Sequence, residues 1–365
     1  MSHELIYLLL IFALLVIPRA LQRFSLPAPL TCLLFGIIGM LWLGDQAHDA
    51  VIGLLATLGI SSLFLFAGLE VDLQALRRGM WPLLAHLVIR TGTLFGVGWL
   101  AWRYAGLPWQ AAGLLALAAL FIVLQAGDPG HMALSSLALL AMMIGLPLLF
   151  IALGRWVAPH APGSEFSLLV MVGMVAAYIT YLLGVYYLVG AFIAGLVARL
   201  LHQRMPLLAS HENLHALRLF ASFFVPFYFF NAGTKVPAEA LSFEALGLGI
   251  VITLVVLPLR IGVVWLQRRV MFGESFRSSL RVSLALAPTL IFTLVLAAIM
   301  RERFQIPAVL FGALLLYAAL TTLLPSLVFR TPFDVDPVEQ EPAGEGEAAP
   351  VAATEALPAA PSAER

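Results

Sequence analysis

The chain has 365 residues, 62% hydrophobic and 11% charged, with 20 basic and 20 acidic side chains. A soluble domain is roughly a quarter charged, and no water-surrounded fold has enough interior for this much apolar surface. The composition therefore excludes a soluble enzyme or a nucleic-acid-binding module and points to an all-α polytopic membrane protein.

The formal neutrality conceals an asymmetry. Residues 331–365 hold eight acids and one base, Arg365, which leaves 19 Lys+Arg against 12 Asp+Glu in residues 1–330. The tail is rich in Pro, Ala and Glu and lacks aromatics after Phe333, a composition that buries too little to order itself. The chain thus divides into a membrane body, 1–330, and an acidic cytoplasmic tail, 331–365. Truncation at residue 335 is expected to leave membrane insertion intact, checked by the yield of full-length and shortened protein in membranes.

The N-terminus, Met1-Ser-His-Glu, has no basic stretch before the apolar run Leu5–Ile17, so it is predicted to be a first span rather than a cleaved signal. A hydrocarbon core of about 30 Å takes about 20 apolar residues per helix. That criterion predicts twelve spans: 4–22, 28–43, 51–69, 82–102, 110–126, 132–154, 166–183, 185–201, 216–234, 243–267, 276–300 and 306–328. Gly and Pro mark the joints at Pro27-Ala-Pro29, Gly106-Leu-Pro108 and Asp128-Pro-Gly130.

Cytoplasmic loops collect Lys and Arg. Arg19 with Arg23, and Arg77 with Arg78, place the first and third loops inside; Arg199 with Arg204, and Arg268, Arg269, Arg277 and Arg281, do the same for the eighth and tenth. Two inside loops must be separated by an even number of crossings. Five candidate spans lie between the third loop and the eighth, from 82 to 201. One of these segments does not cross, or one helix of the architecture is absent.

Six motifs in series resemble the Kef-type monovalent cation:proton antiporters, of the sodium/hydrogen exchanger kind. They are Leu26-Pro-Ala-Pro-Leu30 with Gly36 and Gly39; Leu63-Phe-Leu-Phe-Ala-Gly-Leu-Glu-Val-Asp72; Leu188-Val-Gly-Ala-Phe-Ile-Ala-Gly195; Phe223-Phe-Val-Pro-Phe-Tyr-Phe-Phe-Asn-Ala-Gly233; Arg260; and Leu284-Ala-Leu-Ala-Pro-Thr289. The resemblance spans about residues 5 to 330. It implies an antiporter-like bundle of about 12 helices with inverted-repeat ancestry and a broken helix near Pro288. It further implies exchange of Na⁺ or K⁺ against H⁺, an inner-membrane location and a homodimer. The family's transport site resembles two crossed broken helices, the first with a Thr-Pro-Ser-like stretch, beside a helix bearing one or two acids. Residues 110–126 contain no Pro, Thr, Ser or ionisable group. They resemble the start of the first broken helix joined to the end of the acid-bearing one, and such a fusion removes one crossing. The alternative class is a non-transporting relative kept as a membrane scaffold or sensor.

An ionisable side chain at mid-membrane costs roughly 2.5–3.5 kcal/mol on insertion scales, which makes it a functional candidate. Arg260, inside Leu254–Leu266, fits two readings: a fixed charge at an ion site, or a side chain snorkelling toward Arg268. Pro288 cannot donate a helical hydrogen bond, and freed carbonyls at a midplane break bind ions in transporters; Thr289 and Thr293 add hydroxyls one turn apart. His86 and Arg90 share a helix face. Asn231, Tyr178, Thr180 and Tyr181 fit a polar path or interhelical hydrogen bonds. Asp128 fits a surface turn or a substitute acid. Glu70 and Asp72 are expected at the interface near Arg77 and Arg78, and Ala191-xxx-Gly195 is expected to let helices approach closely. Cys32 is alone and the eight histidines have no ligand spacing, so no metal, cofactor or disulfide is expected, nor is any catalytic triad or nucleotide loop present.

Overall fold

The computed structural model describes residues 3–43, 50–81, scattered positions between 83 and 103, and 129–329 except 158–159, 162, 184–185 and 202–209. His86, Arg90, Asp128 and the tail 331–365 lie outside the described residues. The described chain is helical throughout: α1 His3–Gln22, α2 Ala28–Leu43, α3 Ala50–Leu69, α4 Leu73–Arg78, α5 Pro129–Trp156, α6 Glu165–Leu182, α7 Tyr187–Leu200, α8 His211–Thr234, a 3₁₀ turn Ala238–Leu241, α9 Phe243–Phe272, α10 Phe276–Ala285, α11 Leu290–Phe304 and α12 Ala308–Phe329. Six of these helices are long and apolar enough to cross a membrane, and the bent pair α10–α11 makes a seventh.

Local chemistry sets the boundaries. Ser210, Ser242 and Ser275 each accept a hydrogen bond from the amide three residues on, at 3.2, 3.3 and 3.3 Å, satisfying donors that a helix start leaves free. Gly273 (φ 63°) ends α9 in the left-handed conformation that glycine adopts without steric cost. Pro129, expected in a turn, is instead the first residue of α5, where its missing amide is no loss.

The helices pack in two sets, and the buried residues among those described form three apolar clusters. α3 packs on α7 and α8, α2 on α8, and α6 on α7; α12 packs on α9 and α11. Leu290, Leu294 and Val295 of α11 join Ile60, Phe227 and Phe229 in the same buried cluster. The motif glycines explain the closeness. A Cβ on Gly36 would lie 2.0 Å from the Phe230 carbonyl oxygen, and one on Gly195 2.1 Å from that of Leu65. In lipid, where apolar burial drives no association, such small-residue contacts let backbones approach. Gly36→Ala is expected to lower stability by about 1–3 kcal/mol, the range for overpacking. Gly145→Ala, where no atom lies within 4 Å, is expected to raise it by up to about 1 kcal/mol. Thermal unfolding in detergent separates the two.

The packing also orients the chain. Glu70, just past α3, pairs with Arg218 near the start of α8 (3.2 Å). Gly195, late in α7, meets Leu65, late in α3, and Phe166, at the start of α6, meets the Phe220 ring at 5.8 Å. The ends of α3 and α7 and the starts of α6 and α8 therefore share one end of the bundle. Arg77, Arg78, Arg199 and Arg218 gather there, and α9, returning after α8, adds Arg268 and Arg269. This is the charge clustering expected of one membrane side. Because α5, α6 and α7 alternate, α5 begins at the opposite end. Arg78 and Pro129 thus stand at opposite ends, whereas two crossings by 82–102 and 110–126 would return the chain to the end it left. The parity conflict found in the charges recurs in the packing.

Candidate functional site at the broken helix

α10 and α11 form one apolar segment bent by 47°. The Leu286 amide still reaches Val282 O (3.0 Å), and the Ala287 amide tightens onto Leu284 O (3.1 Å). Pro288 has no amide to offer, Thr289 leaves helical geometry (φ −138°, ψ 19°), and regular bonding resumes with Thr293 N to Thr289 O at 2.8 Å. The carbonyls of Leu286 and Ala287 are left at the negative end of α10, a place that favours a cation.

Arg260 is that cation. It lies on α9 at about 1.5 Å per residue from either end, so roughly 25 Å from Phe243 and 18 Å from Phe272. Its Nη2 donates to Leu286 O at 2.9 Å and its Nη1 to Ala287 O at 3.2 Å. The half-buried guanidinium turns into the bundle rather than toward Arg268. The Arg268 side chain is engaged elsewhere, on the Glu274 carboxylate, which that contact holds below the ordinary carboxylate range.

The other predicted residues divide. Thr289 is buried and its hydroxyl stands 3.5 Å from that of Thr321 on α12. Thr293, also buried, continues the same face one turn later. Pro288 and Asn231 are half-buried. The Asn231 carbonyl accepts the Thr234 hydroxyl at 2.9 Å, and no hydrogen bond among the described residues joins Asn231 to Arg260. Thr180, expected to bond between helices, bonds within its own, to Ala177 O at 2.8 Å, while Tyr178 and Tyr181 face outward. Glu70 pairs with Arg218, not Arg77 or Arg78, and Asp72 accepts the Gln74 amide at 2.8 Å.

Sequence reasoning missed Thr321 and Thr322, both fully buried and both donating to Ala318 O (3.0 and 2.8 Å). Since each proton is committed to the backbone, each oxygen presents lone pairs only. The signal was available: adjacent hydroxyls followed by Ser326 in an otherwise apolar run. Arg218 was missed too, hidden by its position in the first turns of a long apolar segment.

A broken helix, a guanidinium on its freed carbonyls and a wall of hydroxyls from the next helix make a polar centre inside an apolar bundle. Set beside known families, residues 129–334 match the sodium/hydrogen exchanger transmembrane family, more than half of the chain. The chain belongs to that family. The exchanger match covers every residue of the broken-helix centre and begins at the first residue of α5. Membership makes the protein a multi-pass membrane transporter whose general activity is cation:proton exchange. No curated protein sequence matches this exchanger.

Proposed function

We propose that the chain is a Kef-type exchanger of Na⁺ or K⁺ against H⁺ whose coupled exchange is impaired. The observation that carries the reading is Arg260 on the Leu286 and Ala287 carbonyls: a fixed positive charge at a helix break, where an exchanger's cation would compete with it. Impairment is supported by the acids. Among the described residues, every carboxylate lies at or beyond a helix end: Glu4, Glu70, Asp72, Glu165, Glu212, Glu239, Glu244, Glu274 and Glu302. Coupled exchange needs a group that takes a proton or a cation in turn, and a carboxylate buried in the bundle has its pKa raised toward neutrality for that purpose. The family-like segment that would bring such an acid is the one fused in residues 110–126. The protein acts in the inner membrane as a homodimer, with the Arg-rich end and the tail cytoplasmic and with no catalytic chemistry of its own.

The same lack of a mid-helix carboxylate favours a second reading, a non-transporting membrane scaffold or sensor. Proteoliposomes under a pH gradient separate the two. Weak flux of Na⁺ or K⁺ abolished by Asp128→Asn would give the exchanger its acid and remove the impairment. No flux under any gradient favours the scaffold.

A further inference from the structure

α10 carries different chemistry on its two faces. Ser279 and Ser283, one turn apart, turn inward between α9 and α12 at 0% and 2% exposure. On the opposite face Arg277 and Arg281, also one turn apart, are exposed, followed by half-buried Leu284 and exposed Ala285. Among the described residues neither arginine has a hydrogen bond or an ion pair. The nearest acid in sequence, Glu274, is already taken up by Arg268 and by the Ser278 hydroxyl at 3.4 Å. Arg269 is exposed too and stands 5.8 Å over the Trp265 ring, which meets the Phe276 ring at 5.3 Å. Three guanidinium groups without a carboxylate partner thus gather where α9 hands over to α10.

Depth sharpens the question of what they face. Arg281 lies about 7–8 Å along α10 from Phe276, on the side turned away from the bundle, and an arginine against hydrocarbon is costly. Helical side chains lean toward the N-terminus of their helix, so Arg281 leans toward Arg277 and the Arg-rich end. Both guanidinium groups then stand at the level of lipid headgroups, and Leu284 and Ala285 at the level of acyl chains. Phe276, at 54% exposure, adds apolar surface at the rim.

We propose that this outer face of α10, with Arg269 at its edge, binds an anionic phospholipid, the phosphate on Arg277 and Arg281 and an acyl chain along Leu284 and Ala285. Phosphate suits the arginine fork, which donates two parallel hydrogen bonds to it. The other anion at hand is the tail 331–365, with its eight acids, and depth decides against it. A lipid phosphate already stands at the level of these side chains, whereas a solvated carboxylate would have to shed its water to reach Arg281. The site adjoins the broken helix, but its occupation does not depend on exchange.

The test uses the full chain in mild detergent, with native mass spectrometry counting the phospholipids retained. The probes are phosphatidylglycerol and phosphatidylcholine with the same acyl chains, and inorganic phosphate as competitor. Phosphatidylglycerol is expected to be retained well above phosphatidylcholine and to resist phosphate. Arg277→Gln and Arg281→Gln are each expected to weaken its retention about fivefold, and the pair about 25-fold. Arg281→Lys keeps the charge without the fork and is expected to fall between parent and Arg281→Gln. Arg155→Gln removes another exposed arginine at the Arg-rich end and is expected to change retention by less than about twofold. Equal retention of the two lipids, or a loss with Arg155→Gln as large as with Arg281→Gln, would overturn the site. Displacement by inorganic phosphate would make the ligand a free anion instead of a lipid. A full chain that retains no phosphatidylglycerol would overturn it in favour of the acidic tail.

Discussion

Arg260→Leu is expected to destabilise the protein by about 3–6 kcal/mol, from two hydrogen bonds to a charged donor at about 1.5–3 kcal/mol each. The substitution removes both donors from the Leu286 and Ala287 carbonyls and leaves the negative end of α10 without its cation inside an apolar bundle. Water cannot substitute freely there, so the carbonyls lose their partners without compensation. Arg260→Lys keeps the charge but offers a point donor in place of a planar fork, and is expected to lose about half as much. Unfolding in detergent followed by tryptophan emission gives the ranking: parent, then Lys, then Leu. An Arg260→Leu protein as stable as the parent would mean that the carbonyls find other partners and that Arg260 does not hold the break.

The second large effect is a gain. If exchange is impaired as proposed, inserting a family-like Thr-Pro-Ser stretch followed by an acid-bearing helix after Ala118 is expected to raise pH-gradient-driven flux of Na⁺ or K⁺. Two changes are made at once. The insertion supplies a carboxylate whose proton affinity burial can tune, and it adds one crossing between α3 and α5. The protein should show Na⁺ or K⁺ flux in proteoliposomes that disappears when the inserted acid is replaced by its amide. Insertion without any flux, in a chain that still folds, would place the defect elsewhere than in the fused segment.

Much of this architecture is legible in the residues. The apolar runs predict α2, α3, α6, α8 and α12 to within a few positions, because in lipid every backbone polar group must be paired internally and a helix is the simple way to do it. The motif residues Gly36, Gly195 and Gly233 mark contacts, since only glycine lets two backbones come that close. The gathering of arginines at one end of the bundle was likewise legible in their positions along the chain.

Other features were decided by tertiary structure. Pro18, Pro147, Pro226, Pro258 and Pro325 all sit inside continuous helices, while Pro288 coincides with a 47° break. A missing amide is common to all six and distinguishes none of them. What differs at Pro288 is a guanidinium from another helix, 26 to 27 residues away in sequence, which takes up the carbonyls that a break exposes. The partner of Glu70 was likewise invisible: nearby Arg77 and Arg78 compete on sequence distance, but the crossing of α3 with α8 brings Arg218 instead. The burial of Ser279 and Ser283 has the same origin. A serine row in an apolar segment signals a polar face, and only the packing of α10 between α9 and α12 turns that face inward. Sequence by itself determines which segments are helices, which helix ends carry the arginines and where backbones can touch. Which polar groups meet inside the bundle is set by helix crossings, because those contacts join residues that no local pattern links.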